Sequence, residues 1–117
     1  LTTRWAGKAI ALHIPEYYTY NVVTKHFEDQ GALPKDRKSD GMHDDPVITL
    51  NMFIDDPKSV RYDERVKAGK ASIDSVSLTD RAKITDLAKK IVAFRADYTV
   101  AAINKGIAAK AKATMAQ

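Results

Sequence analysis

The sequence predicts an α+β domain in which an antiparallel β-sheet is followed by two C-terminal α-helices. Three observations predict it. Ile48, Leu50, Met52 and Ile54 alternate with Val47, Thr49, Asn51 and Phe53, which is strand periodicity. Ser59 to Lys67 alternates too, with Val60, Tyr62 and Val66 on one face and Arg61, Asp63, Arg65 and Lys67 on the other. Ile84, Leu87, Ala88, Ile91 and Phe94 recur at helical spacing and make one apolar stripe.

Taken in order, residues 4–14 form a first strand. It reads either as a hairpin turning at Gly7-Lys8 or as one strand with a glycine irregularity, and Pro15 interrupts it. Over 17–27, Tyr18, Tyr20, Val22, Thr24 and His26 alternate with Thr19, Asn21, Val23, Lys25 and Phe27. Tyr, Val and Thr suit a pleated surface, so residue type favours a second strand. The competing reading is a helix with Pro15 in its first turn and Gly31 at its C-cap. Residues 28–46 carry Gly31, Pro34, Gly41, Pro46 and many charges, and read as a long connection. A strand over 46–55 follows, then a tight turn at Asp55-Asp56-Pro57-Lys58. The last strand covers 59–78, bent or bulged at Gly69. Thr79 is the expected N-cap of a helix over 80–94, with Asp80 in the first turn, where the helix dipole favours a carboxylate. A second helix over 97–112 carries Val100, Ile103 and Ile107 at helical spacing. Gly106 weakens it by about 1 kcal/mol relative to Ala.

At 117 residues the chain is read as a single domain, 1–117, with one modest core. The absence of cysteine excludes disulfides, thiolate zinc sites and a cysteine nucleophile together. No apolar run approaches the ~20 residues of a membrane span, and no signal peptide is visible. The net charge of +4 is unevenly placed. From Asp80 onward there are eight cations against three anions, whereas residues 28–56 are acidic. Such polarity permits a polyanionic partner, although a solvated surface with uneven charge is the bland reading.

Catalysis has little support. There is no nucleophile elbow, no phosphate-binding glycine loop and no zinc spacing. His26-Phe27-Glu28-Asp29 and His43-Asp44-Asp45 are the His–carboxylate clusters, but contiguous ligands on a strand point to opposite faces and do not converge. No enzyme activity, metal or cofactor is expected. The cationic face of Arg61, Arg65 and Lys67, with Asp63 among them, is sharper. If Thr49, Asn51, Thr19, Asn21 and Lys25 share it, the face offers cations to phosphates and amides and hydroxyls to bases. Its structural alternative is a cross-strand salt-bridge lattice worth little. The stripe of Ile84, Leu87, Ile91 and Phe94 serves either the chain's own core or packing across a dimer.

The second half of the chain resembles the coat proteins of single-stranded RNA bacteriophages. The resemblance runs from Val47 to about Asn104. Val47-Ile48-Thr49-Leu50-Asn51-Met52-Phe53-Ile54-Asp55 looks like the penultimate sheet strand, Val60-Arg61-Tyr62 like the start of the last, and Asp86-Leu87-Ala88-Lys89 with Ile91-Val92-Ala93 like the first helix. It implies an interlocked homodimer that tiles an icosahedral shell, assembled in a bacterial cytoplasm and found in the virion. It also implies that the inner sheet face binds a stem-loop of the viral RNA, repressing translation and marking the genome for packaging. On that face would lie Arg61, Asp63, Arg65 and Lys67, Thr49 and Asn51, and Thr19, Asn21 and Lys25. A reading from another class remains open: a nucleic-acid-binding regulator that forms no shell.

Overall fold

Helices, not strands, organise the protein. The computed structural model describes residues 21–37 and 45–115, with the side chains of 113–115 excepted, and the single positions 9, 11, 13 and 14. Chain order is α1 (Asn21–Asp29), α2 (Pro46–Asp55), α3 (Tyr62–Lys67), β1 (Ser72–Ile73), β2 (Val76–Ser77) and α4 (Arg81–Met115). Among the described residues the one sheet is the two-stranded β1–β2 hairpin. The expected sheet followed by two helices is therefore overturned: the described part of 17–27, from Asn21, is helical, 46–55 is helical, 59–78 holds a short helix and a two-residue-strand hairpin instead of one long strand, and the helices expected at 80–94 and 97–112 are parts of one helix. Of the strand expected at 4–14, only positions 9, 11, 13 and 14 are described, and none of them is in a strand; Thr19 lies outside the described residues.

Each correction has a local cause. In α1, Val23 and Phe27 are buried one helical turn apart, and Lys25 reaches Asp29 at 3.0 Å in the helical i,i+4 geometry. Gly31, at φ +69°, closes the helix. The Ala32 N–H donates to Phe27 O and the Gly31 N–H to Glu28 O, a Schellman ending that needs left-handed backbone at Gly31. The capping signal thus outweighs the strand-prone residue types.

In α2, seven of the ten residues are apolar, and periods of 2 and 3.6 both fit the pattern. The ends decide. Asp45 is the N-cap, its carboxylate accepting from the Val47 N–H, and Pro46 takes the first turn, where its missing N–H costs nothing. Val47, Leu50 and Phe53 then share the buried face.

The segment expected as one long strand breaks into three pieces. Asp56 accepts from the Lys58 N–H and tightens the turn. Arg61 adopts left-handed backbone and opens α3. Gly69, at φ +67°, closes α3 with the same pattern as Gly31, Lys70 N–H to Arg65 O and Gly69 N–H to Val66 O. The hairpin turns at Asp74 and Ser75, both at positive φ, as a two-residue turn with right-handed strand twist requires.

Asp80, not Thr79, caps α4, with its carboxylate accepting from the Lys83 N–H. No Pro or Gly falls between 80 and 105, so nothing stops the helix near residue 95. At about 1.5 Å per residue, its 35 residues make a rod of about 50 Å.

The core collects Val23 and Phe27 of α1, Val47, Leu50 and Phe53 of α2, Tyr62 of α3, and Ile84, Leu87, Ala88 and Ile91 of α4. Burial of a Leu or Ile side chain contributes about 1.5–3 kcal/mol. Among α4's described side chains, all the fully buried ones precede Phe94. The result is a small helical body with a rod leaving it, 64 Å in its longest dimension. Its radius of gyration of 18.6 Å exceeds the ~13 Å of a compact chain this long.

Candidate nucleic-acid interface

The residues expected on one sheet face do not share a face. Asn21 starts α1 and is exposed. Lys25, also exposed, is paired with Asp29. Thr49 and Asn51 are half-buried on α2, and the Asn51 Oδ1 is enclosed with no hydrogen-bond partner among the described residues. An enclosed amide oxygen cannot read a base. Arg61 pairs with Glu64, Asp63 with Arg81 at 3.4 Å, and Arg65 and Lys67 are exposed on α3. In a helix, Arg61 and Arg65 lie one turn apart while Asp63 falls on the other side, so strand alternation no longer aligns the cations.

Ile84, Leu87 and Ile91 are buried within their own chain, and Phe94 packs partly buried against the same core. The Phe94 ring stacks on His26 with centroids 4.1 Å apart, and Phe27 meets both rings edge-on. His26 therefore serves as a packing aromatic, its ring nitrogen 3.0 Å from the Gln30 amide. Among the described residues no three His, Cys, Asp or Glu converge as metal ligands. His43 and Asp44 lie outside the described residues, and Asp45 caps α2.

Two other sites were invisible in the sequence. Arg37, in the expected long connection, is 8 % exposed and draws together three distant carboxylates. Its guanidinium lies 3.2 Å from Glu28, 3.3 Å from Asp45 and 4.0 Å from Asp74, while its Nε donates to Pro34 O. It ties the end of α1, the cap of α2 and the hairpin turn. Nothing local marks it, since the partners are far apart in sequence. The second site is an open groove of about 430 Å³ lined by Lys58, Arg61, Arg81, Asp56, Asp63 and Glu64. Arg81 also lies over the Phe53 and Tyr62 rings, with centroids 5.9 and 5.2 Å away. Three cations and three carboxylates balance here, so the groove has no net attraction for an anion. A second, apolar void of about 10 Å³ beside Leu50, Phe53 and Ile84 is water-sized.

The strongest charge asymmetry is in α4. It carries eight cations and two carboxylates, a surplus of six, whereas the whole chain has a surplus of four. Everything before α4 is therefore net acidic by two. Beyond Asp97 the helix has Lys105, Lys110 and Lys112 and no carboxylate. Lys83, Lys105 and Lys112 are exposed and make no ion pair among the described residues. Lys83 and Lys90, then Lys105 and Lys112, are spaced seven residues, about two turns or 10 Å, so they follow one side of the rod. Lys90 is held by Asp86 at 2.7 Å. No helix is long and apolar enough to cross a membrane among the described residues. No family model matches the chain, and no curated protein or solved structure does so either.

Proposed function

We propose that the protein is a non-enzymatic nucleic-acid-binding module whose binding element is the rod of α4. The observation that carries this reading is the segregation of charge, with a surplus of six cations on one helix and a net acidic body behind it. A nucleic-acid strand meets closely spaced lysines with counterion release, which supplies most of non-specific affinity. Shell assembly is not carried forward, because it rested on a sheet whose place α1, α2 and α3 occupy. Nucleic-acid binding is retained on different residues: Lys83, Lys90, Lys105 and Lys112 in place of Arg61, Arg65, Asn51 and Thr49.

Fluorescence anisotropy with a labelled single-stranded RNA, titrated between about 50 and 200 mM salt, tests it. Each phosphate contact contributes about 0.7 to the slope of log affinity against log salt for single strands. Replacing Lys105 and Lys112 by Ala should weaken binding and flatten that slope by about 1.4. Replacing Arg61 and Arg65 should leave both nearly unchanged. Equal loss from the two pairs, or no loss from the lysine pair, would contradict the assignment to α4.

A further inference from the structure

Three aromatic rings stand where the rod leaves the body. The Phe94 ring stacks on His26 at an interplanar angle of 20°. Tyr98 follows one turn along α4, its ring centroid 6.3 Å from that of Phe94 and its plane 29° away. It is half-buried, the last aromatic on the side of the helix that begins at Ile84. Phe94 is its one ring contact, and its hydroxyl has no hydrogen-bond partner among the described residues. Such a ring has one packed end and one end open to water, the placement in which tyrosine serves binding surfaces.

Lysines continue the line of this ring. Lys105 and Lys112 follow Tyr98 at seven-residue intervals, so each stands about 10 Å farther along the rod and about 20° around it from the last. Both are exposed, and neither has an ion pair among the described residues. Ala101, Ala108 and Ala109, on the same side between and beside them, are exposed too. Asp97 stands about 100° around the helix from Tyr98, off this line. Lys110, which donates to the Ala9 carbonyl at 3.2 Å, is at least about 120° from all three. That contact with the N-terminal segment therefore lies on another side of the rod.

An aromatic ring followed by two free cations sorts nucleic acids by strandedness. Lysines alone favour a duplex, which packs phosphates more densely than a single strand. A ring favours the single strand: duplex bases cover one another's faces, whereas an unpaired base can lie on an aromatic side chain. From this line of groups we infer that α4 takes single-stranded nucleic acid, with a base against the Tyr98 ring and nearby phosphates on Lys105 and Lys112. The inference rests on the reading of α4 as the binding element, and adds to it the kind of strand and a contact that is not ionic.

Anisotropy titrations with three probes separate the two contributions: a single-stranded RNA, an abasic strand of equal length, and the RNA annealed to its complement. The parent should bind the single-stranded RNA more tightly than either of the others. Tyr98→Leu keeps apolar bulk beside Phe94 but has no π face. It should lose about 5- to 100-fold in affinity for the single-stranded RNA, with an unchanged salt slope. Its affinity for the abasic strand and its helicity should equal the parent's, which excludes a loss through unfolding. Tyr98→Phe should bind as the parent does. A parent that prefers the duplex, or binds RNA and abasic strand equally, overturns the inference and leaves the lysine reading standing. So does parent-like binding by Tyr98→Leu, or an equal loss on RNA and abasic strand, which would assign Tyr98 to packing alone. Binding of none of the three probes overturns the lysine reading itself, and the inference with it.

Discussion

Ile91 and Ile107 have the same side chain on the same helix, yet the first is 0 % and the second 53 % exposed. Between them the apolar side of α4 moves to nearly the opposite side of the rod. In the first half it packs in one core with Val47, Leu50 and Phe53 of α2; in the second Val100, Ile103 and Ile107 stand exposed, while Lys110 nearby donates to the Ala9 carbonyl oxygen. Composition hardly changes across this boundary, and both halves are lysine-bearing and rich in Ala and Ile. An apolar stripe at helical spacing therefore announces a helix without saying whether the body packs on it. The direction of the stripe, relative to what already packs on the same helix, carries that further information.

The contrast is broken most sharply by placing a carboxylate at each position. Ile91→Asp buries an unpaired charge against α2 and should remove several kcal/mol, a large share of the ~5–15 kcal/mol of a typical domain. Ile107→Asp should stay within about 0.5 kcal/mol in dilute solution, as exposed substitutions do. Urea unfolding of both variants measures the difference. Similar midpoints would mean that the two halves of α4 are not differently packed.

The sequence made some of this legible. The helix through Ile84–Ile91 was readable because polar residues separate its apolar positions, leaving one period that fits. The run Val47–Ile54 was not, because an almost continuous apolar segment satisfies both strand and helix spacing, and Asp45-Pro46 carried the decision. For α1 the ending at Gly31 was visible but was outweighed by strand-prone residue types, which tertiary burial of Val23 and Phe27 overrides. Continuity of α4 past Arg95 was missed although no breaker stands there. Nucleic-acid contacts were sought on Arg61, Asp63, Arg65 and Lys67 because alternation aligned them, and that alignment vanishes once Tyr62–Lys67 coils. Arg37 was beyond reach, since its role exists only after α1, α2 and the hairpin have met.

That meeting point gives the second test of why one half of α4 is held and the other is not. Arg37→Ala leaves Glu28, Asp45 and Asp74 facing one another with their shared cation gone. Removing one side of a buried ion pair typically costs about 3–5 kcal/mol. The loss should appear as faster amide exchange through α1, α2 and the Ile84–Ile91 turns, with residues 100–112 scarcely affected. Uniform loosening along the whole of α4 would show that the rod depends on the body for its helicity.

The smallest effect is expected at the exposed end of α1, where Asp29 offers a carboxylate that is paired but not buried. The hydrogen bond from Lys25 holds its carboxyl below the ordinary value of 3.8, and the charge of Lys35 adds to this. The sign follows from linkage. A carboxyl depressed in the folded state binds its proton more readily when unfolded, so it stabilises the fold at pH above the unfolded value. That contribution disappears as pH falls through the folded value. Because the group is exposed, salt should screen the effect, unlike the Arg37 cluster, whose charges are enclosed. Carbon-detected NMR titration of Asp29 in the parent and in Lys25→Ala reads it. The midpoint should rise toward the ordinary value in the variant, and high salt should shrink the difference. An unchanged midpoint would mean that Lys25 and Asp29 are neighbours without interacting, and that the electrostatic contribution of the body comes from its enclosed arginine.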